Sequence, residues 1–304
     1  MLTDIRHTID TETAIQSASF IRRTHMVDFL HLTKPEITLL SVATAAAGAY
    51  ISDQNIHSYS ALLHTIAGTA LAGAGAGTLN EYLEWHYDGQ MKRTARRPLP
   101  MHRIAPASAL AFGTSLSIAG VGYLFLFTNI LAAILAAFTI TSYLFLYTPL
   151  KRRTPFAIVI GGVPGALPPL IGWAASSGSV SVQGLSLYFI LFFWQMPHFL
   201  ALSWMYRKDY ARAGYKTLTA VDETGGLTCR QMIIYATALV PASAFPTLVG
   251  LAGVVYFGAG ILLSLGFLLL VLKFCRTRTN SDARRLFYAS LIYLPAVFFI
   301  IALG

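Results

Sequence analysis

Nine apolar windows, at about residues 36–52, 60–80, 107–128, 130–148, 156–175, 185–205, 231–250, 254–273 and 286–303, set the limits on how this chain can fold. Each is close to the roughly 17–25 residues a helix needs to cross the hydrocarbon core of a bilayer. Inside lipid every backbone N–H and C=O must find its partner within the protein, so such windows admit a bundle of spanning helices and little else. The residue balance agrees, with 55% of the 304 residues hydrophobic and only 12% charged, far from the mix of a soluble domain. The expected fold is therefore all-α: a polytopic membrane protein of about nine transmembrane helices. Residues 28–304 form one membrane domain, and residues 1–27 form a polar tail.

The placement of the cations tests this count independently. Arg6, Arg22, Arg23 and Lys34 precede the first window, and the clusters 92–103, 151–153, 207–230 and 273–285 follow the second, fourth, sixth and eighth. All 22 Lys and Arg residues thus fall on one side of a nine-span chain. By the positive-inside rule that side is cytoplasmic, which puts the N-terminus inside and the C-terminus outside. The opposite face is nearly bare, with connections such as "SDQNIHS" and "TN". The net charge of +9 is then a topology signal, and no nucleic-acid partner is expected. Cys229 and Cys275 lack a metal-ligand spacing and read as free thiols. The first 35 residues have no apolar core of a signal peptide, and Asp4, Asp10, Glu12 and Asp28 break the acid-poor pattern of a transit peptide. A bacterial inner (cytoplasmic) membrane is the expected location, with the lipid bilayer as surroundings. The longest loop, about 206–230, is where a lid would lie.

Function is written in the polar residues at the cationic ends of the windows. In "LNEYLEWHYDGQMKRTARRPLP" (79–100), Asn80, Glu84 and Asp88 recur at intervals of four. On a helix that spacing aligns one amide and two carboxylates along one face over about 12 Å. Hard oxygens in this number suit Mg²⁺, which takes one or two carboxylates and completes its shell with phosphate oxygens and water. Lys92, Arg93, Arg96 and Arg97 follow at once, a cationic set suited to a large anion. The plainer alternative is a solvated helix end with topology-setting charges, although ionisable groups within a span usually face a cavity and carry function. Glu81 lies off the aligned face and is expected to be solvated; His86 and Tyr87 are expected at the interface.

Two further clusters share the same side. Tyr147 and Lys151 are again four apart, followed by Arg152, Arg153 and Thr154 and then "GGVPGALPPLIGW" (161–173). Glycines and prolines there kink a span, either to line a cavity or simply to pack. Tyr147 is either a belt aromatic or a phosphate donor. In "WQMPHFLALSWMYRKDYARAG" (194–214), Asp209 with Arg207, Lys208 and Arg212 could supply a second metal and phosphate site facing the first. His198, beside Trp194, Pro197 and Phe199, is either a hydrogen-bonded core residue or a ligand. Three clusters at one end suggest an anion-binding mouth over an apolar interior, a shape that fits a lipid diphosphate.

These motifs resemble those of the UbiA superfamily of intramembrane prenyltransferases, which have nine helices around a central cavity. The resemblance rests on Asn80-x-x-x-Glu84-x-x-x-Asp88 with "GQMKRTARRPLP", on Tyr147-x-x-x-Lys151, on "LTKPEITLL" at the first window, and on "WQMPHFLAL" with "KDYARAG", and covers about residues 28–303. Within the superfamily the three ordered motifs look like the branch that farnesylates heme B. The resemblance implies that Asn80, Glu84, Asp88 and Asp209 hold Mg²⁺ and the head group of farnesyl diphosphate. It implies that Lys92, Arg93, Arg96, Lys151 and Arg152 neutralise the diphosphate. Heme B would be the second substrate and heme O the product, with heme A synthase or oxidase assembly proteins as protein partners. His198 would orient heme as axial ligand or propionate partner, with Trp194 and Phe199 against the macrocycle. Glu84 stands where the superfamily commonly has Asp, and "GYKTL" (214–218) replaces a Gly-x-Pro-Met run. Rival readings are a superfamily member that prenylates an aromatic quinone precursor, a transporter of an anionic metabolite, and a phosphatidyltransferase. The first is opposed by "WQMPHF", the second by polar groups that sit at one face rather than the midplane, and the third by the sparse Asp run.

Overall fold

A computed structural model describes residues 26–52 and 59–303. The tail expected over 1–27 lies almost wholly outside that range. Among the described residues every regular element is helical. Residues 26–32 form a short helical stretch. The long helices are α1 (Pro35–Ser52), α2 (Tyr59–Asp88), α3 (Pro106–Phe127), α4 (Ile130–Leu150), α5 (Ala157–Ser177) and α6 (Val182–Met205). Two short helices, α7 (Arg207–Arg212) and α8 (Leu218–Val221), lie in the long loop before α9 (Gly226–Leu248), α10 (Val254–Thr277) and α11 (Asn280–Ala302).

Eight of these are long and apolar enough to cross a membrane among the described residues, and the chain is a multi-pass membrane protein. The ninth, α1, is 18 residues long and carries Glu36 in its first turn. It packs mainly on α5 and α2 and turns Ile37, Leu39 and Tyr50 outward. The expected second window, 60–80, stops short of the helix, which runs unbroken to Asp88. Hydropathy fell there because Asn80, Glu84 and Asp88 are polar, yet all three are buried.

Sequence sets where the helices begin. Asn129 caps α4, its Oδ1 accepting from Ala132 N at 3.0 Å, while its amide donates to Ala174 O at 2.7 Å. Ser181 caps α6 by accepting from Gly184 N, and Thr279 caps α11 by accepting from Asp282 N; each satisfies an N–H that the first helical turn leaves orphaned. Gly178, at φ 68°, ends α5 in the left-handed region. Sequential helices are neighbours, and α11 closes the ring against α6, α10 and α1. The alternation leaves every described Lys and Arg, from Lys34 to Arg285, at one end of the bundle.

Lipid gives apolar helices little hydrophobic reason to associate, so close packing at small residues does that work. In "GGVPGALPPLIGW" the structure gives this reason for the last glycine: a Cβ on Gly172 would strike Ala45 O of α1, and a Cβ on Gly48 of α1 would strike Pro169 O of α5. Gly75 and Gly120 play the same part between α2 and α3, against Ser117 and Ala72. Gly172→Leu is accordingly expected to destabilise the protein by about 3 kcal/mol, the upper end for overpacking. Gly258→Ala, at a helical position with open space, should leave stability equal or slightly raised. Thermal unfolding in detergent separates the two.

Candidate active site

The polar residues of α2 meet three other segments at the cation-bearing end. Asn80, Glu84 and Asp88 each hold a separate cation. Lys34, immediately before α1, donates from Nζ to Asn80 Oδ1 at 2.5 Å, and the Asn80 amide nitrogen donates to Thr148 Oγ1 at 2.9 Å. Lys151 Nζ pairs with Glu84 Oε1 at 2.5 Å, and Tyr215 OH donates to the same oxygen at 3.2 Å. Arg97 NH1 pairs with Asp88 Oδ2 at 2.7 Å. The aligned face expected from the four-residue spacing is therefore real, and residues distant in the chain converge on it.

Local backbone explains the convergence. Lys34 has φ 50°, a left-handed conformation costly for a residue with a Cβ. In α4 the turn Ser142–Tyr147 is a π-helix, a form that recurs at functional sites, and it precedes Thr148 and Lys151. The Tyr147 ring lies against Gly161, where a Cβ would collide with it, and the Lys151 ammonium stands 4.9 Å from the Tyr147 centroid and 5.6 Å from that of Tyr215. The chain after α7 turns at Gly214, φ 73°, and Lys216 N donates to Lys151 O at 3.0 Å. A proline at 216, as in the Gly-x-Pro-Met run, has no N–H for that bond. Arg152 lies 3.8 Å over the ring of Tyr87, and Arg93 lies 5.3 Å over that of Tyr206.

Electrostatics follow from this packing. Burial and the neighbouring Arg97 push the Lys34 ammonium down to about 8, against the pull of Glu84, Asp88 and Glu81. Burial works against the charge on Lys151 as well, but the adjacent Glu84 carboxylate outweighs it and holds that group well above its usual range. Burial likewise opposes the Arg97 charge, and Asp88 and Glu81 more than restore it.

The expectation for Glu81 needs correction. Glu81 is not solvated: only 1% of its surface is exposed, and its Oε1 is buried without a hydrogen bond. It turns inward on the covered side of α2, with Asn80, Glu84 and Asp88, while Leu83 and His86 keep the exposed side. Tyr87 is packed under Arg152 and against Tyr215. Of the cations after Asp88, Lys92, Arg93 and Arg96 are exposed, and Arg97 is the one folded back onto the carboxylate. Asp209 pairs with Arg212 at 3.3 Å and lines a separate pocket of about 220 Å³ with Met205, Tyr206, Arg207, Lys208 and Asn280. No described contact joins it to Asn80, Glu84 or Asp88. Trp194 and His198 lie in the α6–α11 interface, where Trp194 Nε1 donates to Ser290 O at 3.0 Å and His198 Nδ1 meets Ser290 Oγ at 2.6 Å. Lys34 and Tyr215 belong to the site and escaped sequence reasoning. Lys34 does lie in the "LTKPEITLL" motif, which was the available signal.

Among the described residues no three His, Cys, Asp or Glu side chains gather closely enough to form a cage. One amide oxygen and two carboxylates on one helix face fit Mg²⁺ nonetheless, since that ion takes few protein ligands and completes its shell from phosphate and water.

A helical membrane bundle with carboxylates and cations converging at one end has the architecture of an intramembrane transferase of diphosphate esters. The chain belongs to the UbiA prenyltransferase family, whose sequence pattern matches residues 41–300. Among its relatives, the protoheme IX farnesyltransferase of Solibacter usitatus (strain Ellin6076) is 43% identical over 282 residues, covering 90% of this chain and 97% of that protein. The protoheme IX farnesyltransferase of Salinibacter ruber (strain DSM 13855 / M31) is 46% identical over 271 residues, covering 89% and 95%. The fold is similar to that of a solved digeranylgeranylglyceryl phosphate synthase, with a TM-score of 0.77 at 17% identity over 92% of this chain and 98% of that one. It is also similar to a UbiA homolog from Archaeoglobus fulgidus bound to DMAPP and Mg²⁺, with a TM-score of 0.66 at 15% identity over 91% and 100%.

Proposed function

We propose that this protein is a protoheme IX farnesyltransferase: it transfers farnesyl from farnesyl diphosphate to a vinyl group of heme B, with addition of water, giving heme O and diphosphate for terminal-oxidase heme synthesis. The observation that carries the diphosphate half is the convergence of Lys34, Arg97, Lys151 and Tyr215 on Asn80, Glu84 and Asp88. The heme half rests on the relatives that cover nearly the whole chain. Residues 28–304 form the catalytic domain, in a bacterial inner membrane with the cation-bearing end cytoplasmic. Heme A synthase or oxidase assembly proteins are the partners that would take the product.

Asn80, Glu84 and Asp88 would hold Mg²⁺, with Asp209 contributing after movement of the α7 loop. Bound there, Mg²⁺ supplies Lewis-acid and charge stabilisation to the departing diphosphate. Lys151 and Arg97, released from Glu84 and Asp88, turn to the diphosphate together with Arg152, and Lys92, Arg93 and Arg96 draw the anion in from the surface. The Tyr147 and Tyr215 rings, which flank the Lys151 ammonium, guide that turn and exclude water. The allylic C–O bond breaks with its electron pair leaving on diphosphate. The vinyl terminal carbon of heme forms the new C–C bond, and water captures the cation left beside the macrocycle and loses a proton. Trp194 and His198 serve the heme side.

Membranes containing the protein, incubated with heme B, farnesyl diphosphate and Mg²⁺, are expected to yield heme O by mass spectrometry, and EDTA is expected to abolish it. Prenylation of a hydroxybenzoate in place of heme would keep the diphosphate site and discard the heme assignment. Heme O formation undiminished in EDTA would discard the metal.

A further inference from the structure

The His198 ring is held from three sides in the α6–α11 interface. Trp194 stacks on it at 4.8 Å and 21°, Phe287 at 4.7 Å and 25°, and Phe199 meets it edge-on at 5.2 Å. Ser290 Oγ donates to Phe287 O at 2.5 Å, which commits its only proton. The 2.6 Å contact between the same oxygen and His198 Nδ1 must then carry the proton of the imidazole. His198 is thereby a donor at Nδ1, and in the neutral ring the lone pair is left on Nε2. Trp194 Nε1, donating to Ser290 O, pins the backbone of the residue that sets this tautomer. Nε2 has no hydrogen bond among the described residues, and it is absent from their sealed, unpartnered polar atoms.

We infer that Ser290 is a positioning residue that holds His198 as the Nδ1–H tautomer, so that Nε2 is the atom that ligates the iron of the heme acceptor. The inference rests on the heme assignment above and chooses between the two roles open to His198. A propionate needs a donor, and the only imidazole N–H is already given to Ser290. A lone pair on Nε2, with the other nitrogen hydrogen-bonded behind it, is the arrangement by which imidazoles ligate metals.

The test is resonance Raman and absorption spectroscopy of the purified full-length protein in nanodiscs, loaded with ferrous heme B. The wild type should show an iron–histidine stretch. His198→Ala should lose that band, bind heme more weakly than the wild type, and regain an iron–nitrogen band with added imidazole. Ser290→Ala, which removes one atom, should keep bound heme but shift or broaden the band, and Ser290→Thr should restore it. Mg²⁺-dependent binding of farnesyl diphosphate serves as the fold control for each variant. An iron–histidine band that survives in His198→Ala, a Ser290→Ala spectrum identical to wild type, or a wild type with no such band would each overturn the inference. A wild type that ligates heme through His198 and yet makes no heme O would keep the inference and remove the proposed reaction.

Discussion

Glu84→Gln is expected to lower kcat/KM for farnesyl diphosphate by about 10²–10³-fold, the size of effect seen when one preorganised electrostatic group is removed from a reaction centre. The substitution keeps the shape of the side chain and its capacity to accept from Tyr215, which now donates to Oε1 at 3.2 Å. It removes the charge that would hold Mg²⁺ and that now compensates Lys151 at 2.5 Å. Steady-state kinetics across a Mg²⁺ titration check the cause: a metal role requires the Mg²⁺ dependence to move to higher concentration, and a loss of rate with unchanged Mg²⁺ dependence would remove Glu84 from the ligand set. Glu84→Asp, which restores the residue common in the superfamily, should retain most activity, because the carboxylate shifts by only one methylene.

Lys151→Met has the larger expected effect on stability. The Glu84 and Lys151 side chains are 8% and 14% exposed, so the pair is shielded from the water that makes surface ion pairs weak. Removing one partner of a buried pair leaves an uncompensated charge, at a cost of about 3–5 kcal/mol. The double variant Lys151→Met with Glu84→Gln should recover much of that loss, since the stranded charge is gone. Thermal unfolding of all four proteins in detergent without Mg²⁺ gives the coupling directly. If the single and double variants unfold at the same temperature, the pair is not what holds the loop at 151–154 to α2. In the double variant activity should stay lost even where stability returns, which separates the structural role from the catalytic one.

The division between what could be read in the sequence and what could not follows from range. The periods of one helix are local, so the four-residue spacing of Asn80, Glu84 and Asp88 placed them on one face before any fold was known. The spans are legible for the same reason, as is the collection of the described cations at one end. Glu81, next to Asn80, reads as solvated in the sequence and is buried in the fold, because hydropathy carries no record of what will cover one side of a helix end. Arg97 could not be told from Arg96 by type or neighbourhood. They differ only in the direction each takes once the turns over 91–98 fold the segment back on Asp88. Lys34 and Tyr215 lie 46 and 131 residues from their partners Asn80 and Glu84, and no periodicity links such positions.

Asp209 and His198 mark the same boundary from the other side. Both stood out by residue type, yet the fold put Asp209 beside Arg212 in a pocket of its own and set His198 against Ser290, a residue without any signal in the sequence. By itself the sequence determined that the chain is a bundle of membrane helices with one charged end and an oxygen-rich face on α2, because helix period, span length and charge sidedness are properties of contiguous residues. The tertiary structure alone decided which cation meets which carboxylate, which side chain faces the His198 imidazole and which glycines must stay bare, because each depends on the approach of helices that glycine contacts and loop crossings bring together.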